Sequence, residues 1–196
     1  VFKFHILNSP VNLSRYNNTS FHRGAPRWKE ALWLVANAVF FQHSLAVWNG
    51  AKIRLLRLFG AKVGRGVLLK PRVTIKFPWK LCIGDHVWIG EGAWIDNLAE
   101  VRIGSHVCLS QGAMLLTGNH DHSSPTFDLI TRPIRLEDGA WVGAQALVCP
   151  GVTVGACAVL TAGSVATADL ETYGVYQGNP AAFKRRRVLQ PITRSY

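Results

Sequence analysis

The chain has 196 residues, 48% of them hydrophobic and 17% charged, a balance that fits one globular domain with appendages and excludes a disordered chain. Its formal net charge is +11, and residues 1–80 hold 14 of the 22 lysines and arginines against a single acid, Glu30. Such asymmetry implies an anionic partner (phospholipid, nucleic acid or a phosphorylated ligand), unless it is only a solvated basic face.

The N-terminal stretch from Ala25 to Ala61 predicts two helical segments separated near Gln42 to Ser44. The apolar run Ala31 to Phe41 is about half of what a bilayer-spanning helix needs, and extending it to Trp48 admits Gln42, His43 and Ser44. It also comes too late, and without a small-residue cleavage site, for a secretory signal. In the second segment Ile53, Leu55, Leu56, Leu58 and Phe59 alternate with Lys52, Arg54 and Arg57. A basic, apolar helix of this kind suits a membrane interface. It equally suits a lid over the open end of a solenoid.

From Val63 onward the chain repeats. Aliphatic anchors fall at Val63, Leu69 and Ile75, at Ile83, Ile89 and Ile95, and at Ile103, Leu109 and Leu115; after a break they resume at Leu136, Val142 and Val148, then Val154, Leu160 and Ala166. A step of six matches neither an amphipathic helix nor a two-residue alternation. It does match short strands joined by tight turns, three to a triangular coil, with the anchors filling an apolar column. Gly66, Gly92, Gly112, Gly139, Gly151 and Gly163 occupy the fourth position of the template, where a turn forced towards positive φ favours glycine. His86 and His106 share that turn position, so turn geometry accounts for them without a metal. Cys82, Cys108, Cys149 and Cys157 lack C-x-x-C spacing and read as reduced, semi-buried residues of a cytoplasmic protein.

The break, "LTGNHDHSSPTFDLITRPIR", predicts an excursion from the prism, a common place for function. Within it His120 is the candidate general base, and His122 is a loop residue or acceptor contact. The twenty-residue coil period places Asn97 one coil below residue 117, near the root of the excursion.

This repeat resembles that of the hexapeptide-repeat acyltransferases, over roughly residues 63–187. The resemblance implies a mainly β fold, a left-handed parallel β-helix of about five coils, with an N-terminal helical extension (residues 1–60), a β-helix domain (61–174, loop 117–134) and a short basic C-terminal tail (175–196). "TGNHD" is similar to the catalytic loop of the maltose and galactoside acetyltransferases, which implies that His120 deprotonates an acceptor hydroxyl for direct attack on acetyl-CoA. Backbone N–H groups near Gly143 and Ala144 would then receive the oxyanion. "WIDNLAEVRIG" resembles the acceptor corner of these enzymes, making Asn97, Asp96 and Trp79 acceptor-binding candidates, although the position of Asn97 is often acidic in the family.

On the coenzyme side the resemblance implies contacts from Trp141, Gly143, Ala144, Ala162 and Thr167, with Lys184 and Arg185 near the ribose phosphate. Ala168 departs from the family, where lysine is frequent. The lead-in "LLRLFGAKVGRGVLLKP" is similar to the subgroup linked to colanic acid and related exopolysaccharides. From this follow a saccharide acceptor, coenzyme A as co-substrate, a homotrimer, no resident metal and no nucleic-acid partner. The expected location is cytoplasmic, with peripheral contact to anionic membrane. Two alternatives stand beside this reading: a zinc enzyme like the γ-class carbonic anhydrases, with three converging histidines, and a non-catalytic basic scaffold that binds membrane or nucleic acid.

Overall fold

The computed structural model describes residues 10–42 and 48–190. Where the anchors run, short strands follow in triplets. The first coil holds β1 (Lys62–Val63), β2 (Leu68–Leu69) and β3 (Thr74–Ile75), and the second β4 (Leu81–Ile83), β5 (Trp88–Ile89) and β6 (Trp94–Asp96). The third holds β7 (Val101–Ile103), β8 (Cys108–Leu109) and β9 (Met114–Leu116), after which β10 (Gly118–His120) and β11 (Leu129–Thr131) form a protruding hairpin. The fourth coil is β12 (Ile134–Leu136), β13 (Trp141–Val142) and β14 (Leu147–Val148), and the fifth β15 (Thr153–Val154), β16 (Val159–Leu160) and β17 (Val165–Ala166). A partial sixth turn bridges Leu170 to Val154 and ends in an antiparallel pair, β18 (Gly174–Gly178) and β19 (Ala181–Arg186).

Three parallel sheets make the faces of the prism. The first is β1-β4-β7-β12-β15, the second β2-β5-β8-β13-β16-β18 with β19 added at its end, and the third β3-β6-β9-β14-β17. Lys62 lies beside Cys82 and Cys82 beside Arg102, the expected twenty-residue step; the hairpin then delays the next neighbour to Arg135. Parallel pairing with short crossovers buries the inward-facing side chains of each strand, and Ile95, Leu115, Val148 and Ala166 are accordingly inaccessible to solvent.

The turns explain why the pattern tolerates residues other than glycine. Gly66, Gly92 and Gly112 have φ of +67°, +69° and +64°, and His86 and His106, at the same template position, have +55° and +58°. Their imidazoles stack at 5.3 Å between centroids. The non-glycine residues accept a strained left-handed conformation because the coils above and below dictate it.

The lower end of the prism is closed by α1 (Arg27–Phe40) and α2 (Asn49–Leu58). Trp33 is fully buried and donates its indole N–H to the carbonyl of Ile75 at 2.8 Å. From α2, Asn49 accepts from Leu69 N and donates to Val67 O, while Lys52 Nζ donates to Leu69 O and Lys70 O. These side chains satisfy the backbone edge that the first coil would otherwise expose. Of the two readings of the basic second helix, α2 therefore adopts the lid. The burial that this requires lowers the Lys52 pKa.

Two expectations need correction and a third falls partly on residues that are not described. The described residues before α1, 10–26, are not helical beyond a short 3-10 turn at Leu13–Arg15; they form a strap, because this polar stretch finds its partners on the hairpin instead. The boundary drawn after residue 174 cuts through β18, whose Tyr176 is buried in the core. The break between the helices runs into residues 43–47, outside the described residues. Among the described residues no helix is long and apolar enough to cross a membrane.

Candidate active site

The hairpin is anchored at its root by Thr117. This fully buried residue accepts from Ala99 N and donates to Asp96 O through its hydroxyl, at 2.9 Å each, and its carbonyl accepts from Arg132 N across the neck. The tip is a polar cage. Asp121 accepts from the backbone and hydroxyl of Ser123, which holds its carboxyl below the usual aspartate range, and Asp128 accepts from Ser124 and Thr126. The cage leaves Phe127 at φ +53°, with its carbonyl turned back towards β10.

That carbonyl fixes His120. Nδ1 lies 2.7 Å from Phe127 O, and since a carbonyl only accepts, Nδ1 carries the proton. The Nε2 lone pair is thereby directed outward on an exposed ring, the tautomer a general base requires. The ring is flanked edge-on by Tyr16 at 5.8 Å. Tyr16 is delivered by the strap, which is pinned to the hairpin by Asn12 N donating to Pro125 O at 2.8 Å. Between strap and hairpin lies a polar cavity of about 570 Å³, whose walls include Asn17, Asn18, Lys80, Asp128 and Thr131. Lys80 Nζ donates to the carbonyls of His22 and Leu98, leaving one ammonium proton for a ligand.

The three acceptor candidates fare differently. Asn97 is completely buried and its amide is committed to the backbone of Phe77, accepting from N at 2.9 Å and donating to O at 2.6 Å. It therefore clamps the corner below the hairpin and presents no polar atom to an acceptor, a correction imposed by the closeness of successive coils. Trp79 is likewise occupied, since its indole donates to Arg23 O and its ring stacks on Phe77 at 5.1 Å. Asp96 lies at the foot of the hairpin, where its buried Oδ1 is 3.0 Å from Lys76 Nζ, at an angle that makes no hydrogen bond.

The coenzyme candidates are spread over several places. Trp141 projects from the second face with its indole on Ser110 Oγ at 2.9 Å. At the corner between the second and third faces, Gly143 packs so tightly that an added Cβ would lie 2.5 Å from Ala162 N. Its N–H is already given to Leu160 O, which removes Gly143 as an oxyanion donor and leaves Ala144, whose N–H has no partner among the described residues. Thr167 is exposed at the corner between the third and first faces, the column from which the hairpin springs. The basic run divides: Arg186 binds Glu171 and Thr172 O, and Arg187 binds Gly139 O and Cys157 O. Lys184 and Arg185 remain exposed on β19 without an acidic partner among the described residues. Thus, in one chain, His120 and the Ala144 corner stand at opposite edges of the third face.

Among the described residues no group of three or more His, Cys, Asp or Glu converges as a metal site would require. No family model matches the chain. A relative from Escherichia coli (strain K12), WcaF, named as a candidate colanic acid biosynthesis acetyltransferase, is 38% identical over 177 residues, covering 90% of this chain and 97% of that protein. The chain belongs to this acetyltransferase family. Its fold matches the crystal structure of a hexapeptide-repeat acetyltransferase from Vibrio cholerae with a TM-score of 0.76 at 22% identity, covering 89% of this chain and 96% of that one. A complex of the Vibrio protein with acetyl coenzyme A matches at 0.74 and 23%, covering 82% and 87%. The prism is therefore the left-handed β-helix expected from the repeat.

Several residues around His120 escape sequence reasoning. Tyr16 lies 104 positions before His120 in an irregular strap that follows no repeat. Phe127 acts through its carbonyl, which any residue supplies. Only the run of Asp, Ser and Thr around the tip carries a signal, since these side chains make local turns with their own backbone.

Proposed function

We propose that the enzyme transfers an acetyl group from acetyl-CoA to a hydroxyl of a saccharide in exopolysaccharide biosynthesis, with His120 as general base. The single observation that carries this reading is the hydrogen bond from Nδ1 of His120 to Phe127 O, which leaves Nε2 free to take a proton. The names of the relatives support the acceptor class: the family relative is named for colanic acid, and a galactoside O-acetyltransferase of Escherichia coli (strain K12) is 27% identical over 143 residues.

The chemistry follows from the residues present. Nε2 removes the hydroxyl proton as the oxygen attacks the thioester carbonyl, and the Ala144 N–H receives the negative charge on the carbonyl oxygen. Collapse breaks the C–S bond, and the imidazolium returns its proton to the departing sulfur. The residues fit the coenzyme: a corner of Gly143, Ala144 and Ala162 offers a wall without bulk, Trp141 an apolar flank, Thr167 a hydroxyl, and Lys184 and Arg185 two charges without an acidic partner for phosphate. Asp96 and the cavity beneath the strap are the acceptor side.

Because base and coenzyme corner occupy different edges of the prism, the reading includes a homotrimer in which His120 of one subunit meets the coenzyme held by its neighbour. It also includes a cytoplasmic location with peripheral contact to the membrane. The deciding experiment is thiol release from acetyl-CoA with a panel of mono- and oligosaccharides, comparing native protein with His120→Ala. Acceptor-dependent release, reduced ~10²- to 10⁴-fold by the substitution, is the expected result; full activity in the variant removes His120 from the chemistry.

A further inference from the structure

The sequence directs attention to the basic helix α2 for membrane contact, but α2 commits Asn49, Lys52, Leu56 and Arg57 to the first coil. The unpartnered surface belongs to α1. One side of α1 carries Trp33, Ala36 and Phe40 into the core. The adjoining, solvent-facing side carries Trp28, Leu32, Val35 and Val39, which are 66%, 56%, 64% and 60% exposed. Their spacing of four, three and four residues places them in one stripe, and Ala31 and Ala38, also exposed, widen it. No charged side chain interrupts the stripe along a helix about 21 Å long.

Unpaired cations lie on the elements that build this end of the prism: Arg27 opens α1, Arg54 is exposed on α2, and Lys62 and Lys70 are exposed on the first coil; none has an acidic partner among the described residues. A strip of apolar side chains held on the closed end of a rigid prism, among unpaired positive charges, is complementary to an anionic lipid surface: the stripe enters the acyl boundary while the cations meet headgroups. A second copy fits less well. Pairing through the stripe would bring two basic ends together.

We propose that the outer face of α1 docks the enzyme on anionic phospholipid, with Trp28, Leu32, Val35 and Val39 inserted and Arg27, Arg54, Lys62 and Lys70 against the headgroups. The proposal rests on the peripheral-contact part of the proposed function and is independent of its chemistry. The docked end is the lower end of the prism, so the hairpin, two coils above, stays in the aqueous phase close to the membrane. An acceptor attached to lipid would reach His120 from that side.

The test is co-sedimentation of the full chain with vesicles of phosphatidylcholine, with and without a quarter of phosphatidylglycerol, at about 0.05 M and about 0.5 M salt. The native protein is expected to bind the anionic vesicles at low salt and at least tenfold more weakly at high salt or on neutral vesicles. Leu32→Glu/Val35→Glu, at exposed positions, should lower binding at least tenfold while keeping the native melting temperature and thiol release with a soluble oligosaccharide. No binding by the native protein, or equal binding by the double variant, overturns the proposal. So does lipid-free self-association that the double variant abolishes, since a second copy would then cover the stripe. Vesicle binding without any thiol release would sink the acetyl-transfer reading and leave this one standing.

Discussion

Nδ1 of His120 lies 2.7 Å from the carbonyl oxygen of Phe127, a residue with φ +53°. The proposed base is thus oriented by a backbone group that reaches it only because a bulky residue adopts a left-handed conformation. Phe127→Gly can keep that conformation without strain, whereas a β-branched residue resists it. Activity should therefore be higher in Phe127→Gly than in Phe127→Val, although valine is closer in size. Phe127→Pro, locked near φ −65°, should lose at least tenfold in kcat with little change in melting temperature. A Val variant as active as the Gly variant would show that the left-handed backbone at this position does not set the activity.

The Thr117 hydroxyl joins the hairpin to the preceding coil by accepting from Ala99 N and donating to Asp96 O. Thr117→Val keeps the shape but leaves a buried N–H without an acceptor, a cost of about 1–3 kcal/mol. At roughly 2–4 °C per kcal/mol for a chain of this size, the melting temperature should fall measurably, and Thr117→Ser should restore most of it. Equal stability of the Val and Ser variants would remove the hydroxyl from the account.

The legible part of this protein is the part that repeats. Each coil buries an anchor against the anchors above and below, so a residue such as Leu115 is constrained by its neighbours in space at fixed sequence intervals. The six-residue period is the direct record of that packing. His120 was legible because it sits where the period fails. The strap was not, because Tyr16 and Asn12 meet the hairpin through single contacts that impose no spacing. Asn97 was placed correctly in space and given the wrong work: the period fixes which coil it faces but not that the coils leave its amide no room to turn outward.

That amide makes a specific prediction. Asn97 accepts from Phe77 N and donates to Phe77 O, fully shielded from water. In Asn97→Asp a carboxylate oxygen would face the Phe77 carbonyl, so the charged form is disfavoured and the folded-state pKa rises above the ordinary value. A raised carboxyl pKa makes the folded state bind protons more tightly than the unfolded one, so stability falls as pH rises through that window. The variant should be clearly less stable than the native protein at pH about 8 and recover part of the loss at about 5, nearer the range in which a carboxyl holds its proton. A pH-independent loss measured by urea unfolding would contradict the burial of this group.

The coenzyme corner supplies a contrast between two glycines. An added Cβ at Gly143 would lie 2.5 Å from Ala162 N and 2.8 Å from Leu160 O, all rigid backbone, whereas at Gly92 it would meet nothing within 4 Å. Gly92 does have φ +69°, so alanine there is strained by conformation alone, at about 1 kcal/mol. Gly143→Ala must instead push two coils apart, an overpacking cost of about 1–3 kcal/mol, and in doing so moves the Ala144 N–H away from the carbonyl it is proposed to stabilise. The expected result is a larger fall in melting temperature for Gly143→Ala than for Gly92→Ala, with kcat/KM for acetyl-CoA reduced at least tenfold only in the former. Since both substitutions add a single methyl group on the same prism, equal effects on acetyl-CoA turnover would mean that this corner does not hold the coenzyme.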